Sequence, residues 1–464
     1  MRGVILNGLT RDEHGNMKSK YTASYKKKIG NKTIFKQMFG YEIIKNDIII
    51  YNPAVISVCI KNKFDIIDKR IAPIEVDYKC RINVSDNQAV VYNHLLNNIF
   101  TEQNANNGIG SCVLVMATGM GKTYTSGKLI SGLKVPTLII VPKISILNEW
   151  MKMFKWFDGE PIGRYFTDAK EDGNIVVMTI ESALNDEYKF GDTIIKWDQY
   201  FTKFGLVIYD EVHNYPTNKY KDIFWRTNFK YRLGLTATPD ERTDKMDIYY
   251  KWHLNTVVHS NQIEGWISNE EPKWTGTVIA INYYGPIEYT HKLTNDNGWL
   301  SVSKMVKQFS RDIYRNKLIT NTIDDMLTRH RNVYIFSEHR DYIIDISAKY
   351  DSSSIMMGGI TDDEFEEAKN KSVIFITYGY GKEGISIPKM NAIVFAHPRK
   401  SKMNQIIGRI LRMGGDENIS REIVDIIDYK TSLKSQFSQR KEEYTKKGFN
   451  IVQKNIKYTE LRIG

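Results

Sequence analysis

Val113-Leu114-Val115-Met116, then Ala117-Thr118-Gly119-Met120-Gly121-Lys122-Thr123, then the helical stretch Tyr124–Leu133, is the segment that decides the fold. A short apolar strand runs into a glycine-bearing loop, and the loop runs into a helix N-terminus. Backbone N–H groups and the helix dipole then face one point, which makes a cradle for an anion. Lys122 supplies a positive charge to the β- and γ-phosphates of a nucleotide, and the Thr123 hydroxyl is placed to ligate Mg²⁺. The strict pattern G-x-x-x-x-G-K-[ST] asks for glycine at position 116, where this chain has Met116.

Working outward, the same alternation repeats. Apolar strands are expected at Cys112–Met116, Thr137–Val141, Ile175–Met178, Leu206–Tyr209 and Tyr231–Leu235, each followed by a polar turn and a helical stretch. Strands separated by helices pair in parallel, with helices on both faces of the sheet. The pattern loosens over 256–298. It then resumes with a long helix before Asn332 and strands at Val333–Phe336, Val373–Thr377, Ala392–Ala396 and Ile423–Ile427. Residues 1–80 read differently, as β-type stretches (Asp47–Tyr51, Ala54–Ile60) broken by turns such as Asn52-Pro53. The expected division is an accessory module at 1–80, a first lobe at 81–255 and a second at 256–464 with a basic tail.

The second strand of interest, Leu206–Tyr209, ends in Asp210-Glu211-Val212-His213. An acid at the carboxyl end of a parallel strand lies where ligands bind in such sheets. Asp210 is the expected magnesium partner of the phosphate loop, and Glu211 can orient and deprotonate a water. His213 either couples the acids to another element or satisfies a local hydrogen bond. Trp150, Trp156 and Tyr380 read as packing residues rather than as a strand-separating wedge.

Composition bounds the rest. The chain has 464 residues, 42% hydrophobic and 26% charged, which suits folded domains with real cores. The purely apolar runs are far shorter than the ~20 residues of a membrane span, so no membrane partner is expected. Cys59, Cys80 and Cys112 are the three cysteines, and none forms a Cys-x-x-Cys pair. Neither structural zinc nor an iron–sulfur cluster is expected, and a reduced cytoplasmic setting is. The net charge of +11 is concentrated at the ends: residues 1–80 hold 15 basic and 8 acidic side chains, and residues 429–464 hold 9 and 3. Basic ends suit phosphate backbones. Lys26-Lys27-Lys28 lies near Tyr21, Tyr25 and Phe35, rings that could stack on bases.

A set of strings in fixed order now resembles a family. Asp210-Glu211-Val212-His213 resembles the acidic motif of superfamily 2 helicases of the DEAH type. Gln88, in Ser85-Asp86-Asn87-Gln88-Ala89, resembles the upstream glutamine that reads adenine. Ile140-Val141-Pro142 with Trp150, and Met178-Thr179-Ile180-Glu181-Ser182, resemble strand-contacting motifs. Gly234-Leu235-Thr236-Ala237-Thr238-Pro239 resembles the motif that couples hydrolysis to lobe movement. Further on, Ile335-Phe336-Ser337-Glu338-His339, then Thr377 through Glu383-Gly384-Ile385-Ser386, then Gln405-Ile406-Ile407-Gly408-Arg409-Ile410-Leu411-Arg412, resemble the remaining motifs. Arg315-Asn316-Lys317 and Ala396-His397 are similar to phage branch-migration helicases of the UvsW type. RecG-like, XPB-like and poxvirus-type transcript-release helicases look like more distant relatives.

The resemblance implies an α/β fold of two tandem RecA-like parallel-sheet lobes with a small β-rich N-terminal domain. It implies an ATP hydrolase using ATP and Mg²⁺, with Thr118, Gly119, Met120, Gly121, Gln88 and Gly384 around the nucleotide. Gln405, Arg409 and Arg412 would come from the second lobe. Arg409 and Arg412 lie three residues apart, so on a helix both can face one phosphate. ATP held between the lobes would make hydrolysis a closure switch. Pro142, Thr179, Ser337, His339 and Thr377 are the expected nucleic-acid contacts, and Thr236, Thr238 and His213 the expected coupling residues. The implied activity is a DNA helicase or translocase acting on forked, branched or single-stranded DNA, with replication or recombination proteins as partners and the host cytoplasm as its place if phage-encoded. The alternative is an RNA helicase or transcript-release factor of the same superfamily.

Overall fold

The computed structural model describes residues 4–29, 32–44, 47–70, 74–117, 119–239, 244–267, 276–381, 387–399, 403–411, 416 and 418–462, with the backbone alone at 26–29, 32, 33, 362 and 381. The chain divides into two compact units, 1–268 and 269–464. Among the described residues no helix is long and apolar enough to cross a membrane.

The first unit is built on a seven-stranded sheet in which every pairing is parallel. Its order is Thr256–His259, Ser111–Val115, Tyr231–Thr236, Leu206–Tyr209, Thr137–Val141, Ile175–Thr179, Ile162–Tyr165. The central strands are buried along their whole length, as expected for parallel strands covered on both faces. Alternate residues feed two separate cores. Cys112, Leu114, Ile139, Val141, Ile208 and Leu235 pack on one face. Val113, Leu138, Ile140, Val207 and Tyr209 pack on the other.

The second unit repeats the design with seven parallel strands. The order is Ser353–Met356, Val373–Thr377, Val333–Ser337, Ala392–Phe395, Arg421–Asp428, Gly276–Tyr284, Asn450–Lys457. Again one set, with Phe336, Ile376 and Phe395, faces one core, and Ile335, Phe375 and Val394 face the other. The expected two-lobe α/β fold is present.

Several expectations shift. The boundary at 255/256 moves to 268/269, because Thr256–His259 pairs with Ser111–Val115 and completes the first sheet. The basic tail is folded: helix Gln436–Lys446 is followed by strand Asn450–Lys457, which lies parallel to Gly276–Tyr284 at the sheet edge. At the N-terminus, Asp47–Ile50 is a strand in a small antiparallel sheet with Tyr41–Ile44, Val4–Leu6 and Ile66–Asp68. Ala54–Ile60, expected as β, lies in helix Val55–Asn62. Its β-branched residues suggest a strand, but Asn52 Oδ1 accepts the Ala54 N–H at 3.0 Å and turns the chain, and Val55, Ile56 and Cys59 then share one buried helical face.

The N-terminal module is fastened to the first sheet. Tyr25 and Met38, from hairpin Thr22–Ile29/Lys32–Phe39, enter the core of the lobe. Asn228 Nδ2 donates to the Tyr51 carbonyl at 3.2 Å. Tyr51 packs edge-on to Trp225 with ring centroids 4.2 Å apart. Tyr21 and Tyr25 are buried and unable to stack on bases, so of the three rings named only Phe35 is presented to solvent.

Candidate functional site

The phosphate loop begins where strand Ser111–Val115 ends. Met116, in place of the expected glycine, points into the core. Gly119 and Gly121 have φ of +87° and +83°, a region where side chains are strained. At Gly121 a Cβ would also fall 2.0 Å from Gln88 Nε2, so this position excludes a side chain on both counts. Helix Lys122–Leu133 follows at once, with Lys122 and Thr123 half-buried in its first turn. Lys122 Nζ donates to the Met116 carbonyl at 3.1 Å, which folds the cation back over the loop. Thr118 lies outside the described residues.

Gln88 holds the loop from behind. Its Oε1 accepts the Ser85 N–H at 3.0 Å, and its Nε2 donates to the Met120 carbonyl at 3.0 Å. The first bond is half of a capping box that starts helix Asp86–His94. The residue expected to read adenine thus joins a helix cap to the phosphate loop.

Asp210 stands at the carboxyl end of Leu206–Tyr209, two strands from the phosphate-loop strand. Its Oδ2 accepts the Trp150 indole N–H at 2.9 Å, and its Oδ1 accepts the Glu211 N–H at 2.9 Å. Burial and the neighbouring charge of Glu211 push its carboxyl up to about 6, against the pull of the indole bond and of the Lys122 ammonium. Loop and acid follow the carboxyl ends of strands two apart in the same parallel sheet. Glu211 adopts a left-handed backbone, φ 51°. This turns the chain sharply and sets Glu211 Oε2 3.4 Å from His213 Nδ1. The same His213 nitrogen is 2.9 Å from Thr236 Oγ1, which also accepts the Thr238 N–H at 3.0 Å. Half-buried Glu211 and buried His213, Thr236 and Thr238 therefore form one line, which brings together the three residues expected from the sequence to act in coupling. Thr238 Oγ1 has no hydrogen-bond partner among the described residues.

Among the described residues no three His, Cys, Asp or Glu side chains converge as a metal site. Magnesium does not need that: it takes one or two carboxylates and completes its shell with phosphates and water. An Asp210 carboxylate fixed by two neutral donors, in the sheet whose phosphate loop carries Thr123 in the first turn of its helix, fits such an ion.

The expected strand contacts are less open than the sequence suggests. Pro142 and Thr179 follow or end adjacent parallel strands, at the same sheet edge as Asp210. The Thr179 hydroxyl is occupied, bonding Ser182 Oγ at 3.0 Å and accepting the Ser182 N–H at 3.3 Å. In the second unit Ser337 and Thr377 are register partners at the ends of their strands. Ser337 is fully buried against His397 Nδ1, at 2.8 Å, and accepts the His339 N–H at 2.9 Å. His339 caps helix Arg340–Ser347. Gln405 and Arg409 are buried, in helix Met403–Ile407 and the tighter 3₁₀ turn Gly408–Leu411. Gly384 and Arg412 lie outside the described residues.

Sequence reasoning missed two features. One is the use of Trp150 to hold Asp210 across 60 residues. The other is a pair of buried ion pairs in the second unit. Arg315 grips Asp428 through Nε at 2.7 Å and a second nitrogen at 3.1 Å. Arg440 grips Asp425 at 2.8 and 2.9 Å, and the Tyr444 hydroxyl adds a bond of 2.7 Å.

Comparison with known proteins finds helicases and restriction-enzyme subunits. The family described as "Type III restriction enzyme, res subunit" matches residues 81–241. A protein of African swine fever virus, provisionally named an ATP-dependent RNA helicase, is 29% identical over 378 residues, covering 76% of this chain and 72% of its own. The DNA 3'-5' translocase XPB2 of Sulfurisphaera tokodaii is 36% identical over 155 residues, covering 33% of this chain and 32% of its own. A solved fragment provisionally assigned to the HsdR subunit of a type I restriction enzyme from Vibrio vulnificus shares the fold, with a TM-score of 0.52, 16% identity, and coverage of 81% of this chain and 69% of that one.

Proposed function

We propose that this chain, which belongs to the superfamily 2 helicases and hydrolyses ATP, uses that hydrolysis to move along DNA and to remodel forked or branched structures. The observation that carries the ATP chemistry is geometric: the glycine loop with Lys122 and the Asp210 carboxylate stand at the carboxyl ends of strands two apart in one parallel sheet. In the proposed cycle Lys122 exchanges the Met116 carbonyl for phosphate oxygens. Asp210 and Thr123 would hold Mg²⁺, which supplies positive charge to the phosphates when bound. Glu211 orients the attacking water and takes its proton. Loss of the γ-phosphate is felt by Glu211 and passed through His213 to Thr236 and Thr238. Arg409 and Arg412 would add positive charge as the transition state forms, and Gln405 would contribute a neutral hydrogen-bonding amide beside them. Gln88, Thr118, Gly119, Met120, Gly121 and Gly384 shape the nucleotide site.

Strand contact goes to phosphate and sugar, which suits a motor because it carries no sequence information. The Thr179 and Ser337 hydroxyls are already bonded, so main-chain N–H groups near Pro142, Thr179, Ser337, His339 and Thr377 are the donors in this reading. The basic N-terminal module, residues 1–80, adds affinity for the phosphate backbone.

DNA is favoured because the identity with a DNA translocase, 36%, exceeds that with the viral proteins. A second reading, translocation on RNA, is favoured by the name and the 76% coverage of the viral relative. ATP turnover measured with single-stranded, duplex, forked and four-way DNA and with RNA separates them. Forked or four-way DNA should stimulate most, and Lys122→Ala should lower turnover by at least about a hundredfold while DNA binding persists. Stronger stimulation by RNA would replace the DNA reading. Normal turnover by Lys122→Ala would end the site assignment.

A further inference from the structure

The second unit carries an excursion between strand Gly276–Tyr284 and helix Ile313–Thr328. It departs from the carboxyl end of its strand, the sheet edge at which Ser337 and Thr377 also end. Its base is firm: Leu293, Leu300 and Val302 pack on buried Met305, Phe309 and Leu433. At its tip a tight turn, Thr294-Asn295-Asp296-Asn297-Gly298-Trp299-Leu300, is closed by a bridge between Thr294 and Leu300. Asn295 N–H donates to the Trp299 carbonyl at 2.8 Å, and Asn295 Oδ1 accepts the Asn297 and Trp299 N–H groups at 3.1 and 3.0 Å. Lys304 Nζ lies against the turn, 3.0 Å from the Thr294 carbonyl.

This well-bonded turn holds a large aromatic ring out in solvent. Trp299 is 64% exposed. Burial would recover much of its apolar surface, so leaving an indole in water on a rigid support is a cost the fold does not need for stability. The exposed side chains beside it on the turn are polar, and Ile287 is the other large apolar side chain exposed among the described residues of the excursion. Asn295, Asp296 and Asn297 flank it, and His291, Lys292, Lys304 and Lys307 are exposed on the same excursion. A ring among polar groups and cations suits a nucleobase, whose face stacks while its phosphate meets a lysine. A protein-docking patch would instead surround such a ring with other apolar side chains.

We infer that Trp299 is a stacking platform for an unpaired base of the DNA strand, set where it can hold the strand as duplex opens. The inference rests on the translocase reading above, and it assigns that reading a base contact outside the helicase motifs.

The test uses the full chain with Trp299→Ala and Trp299→Phe, a thymidine oligomer and a forked duplex. Trp299→Ala should bind the oligomer about tenfold more weakly and separate the fork more slowly by a similar factor, with Trp299→Phe close to the parent. ATP turnover at saturating DNA should stay within about twofold in both variants. Indole emission of the parent should be quenched by the oligomer more than that of Trp299→Phe. Parent-like binding and separation by Trp299→Ala, as expected if the ring serves a protein contact, overturns the inference and leaves the helicase reading standing. A parent chain that neither binds DNA nor is stimulated by it overturns both.

Discussion

Asp210 and Asp428 occupy matching places in two sheets of the same design, each at the carboxyl end of a buried parallel strand. They are satisfied in opposite ways. Asp428 is locked by the Arg315 guanidinium through two bonds, and Asp425, three residues back, is locked by Arg440 in the same manner. Asp210 receives its hydrogen bonds from an indole and a backbone amide, both neutral donors, and has a second carboxylate next to it. An internal ion pair consumes a carboxylate's charge. A carboxylate held by neutral donors keeps its charge for a cation that comes and goes with the nucleotide. The second unit's acids are held as structural groups for this reason, and the first unit's acid is the one left open to the chemistry proposed for it.

The comparison breaks most easily at the structural pair. Arg315→Ala leaves Asp428 charged and buried without its partner, a loss on the order of 3–5 kcal/mol. Denaturant unfolding should show it in the second unit. The double variant Arg315→Met/Asp428→Leu should recover most of the loss, because an apolar pair of similar size replaces a buried ion pair at little net cost. Equal stability of Arg315→Ala and the parent would mean that Asp428 is not held by this contact.

The chemical acid should respond with the opposite sign. Burial raises Asp210 from 3.8 to about 6, so the folded chain binds this proton more tightly than the unfolded chain does. Folded-state stability from this group is present below about pH 4 and is lost as pH rises through about 6. Asp210→Asn removes that loss. At pH 7 it should stabilise the first unit by roughly 1–2 kcal/mol, after allowing for the unpaired amide N–H it introduces. The gain should vanish near pH 4, while ATP turnover is lost at every pH. A variant less stable than the parent at pH 7 would show that Asp210 is neutralised in some other way.

The two lobes were legible in the sequence for a physical reason. A strand covered on both faces is apolar at nearly every position, as Thr137–Val141 and Val373–Thr377 are, although a short buried helix such as Val55–Asn62 can carry the same kind of run. Edge strands lack that signature. Asn450–Lys457 is exposed at every position but Ile451 and Ile456, which are half-buried, and reads as a basic tail. Thr256–His259 is likewise half-exposed and was assigned to the wrong lobe. The phosphate loop and the acidic turn were legible because their chemistry needs neighbours in sequence. Contacts formed by folding were not: Trp150 reaches Asp210 across 60 residues, and Arg315 reaches Asp428 across 113. An arginine or a tryptophan on its own does not announce which carboxylate it will meet.

Trp150 offers the finest test of the contrast. Its indole is fully buried, and its one donor goes to Asp210. Phenylalanine keeps an aromatic ring beside Phe154 and removes the N–H. Without that bond the ionised form of Asp210 loses support, so its carboxyl should move further up. A hydrogen bond to a charged group contributes roughly 1.5–3 kcal/mol, which corresponds to about one to two pH units. The acid limb of kcat/KM for ATP hydrolysis should therefore shift upward by about that amount in Trp150→Phe, with the plateau regained at higher pH. A packing defect alone would lower the plateau and leave the limb in place. Tyr444→Phe makes the matching change at the other kind of acid, since it removes a hydroxyl bonded to Asp425. There the Arg440 guanidinium already compensates the charge, and the pH profile should not move. If both variants shift it equally, the difference between the two acids lies elsewhere than in the charge of their donors.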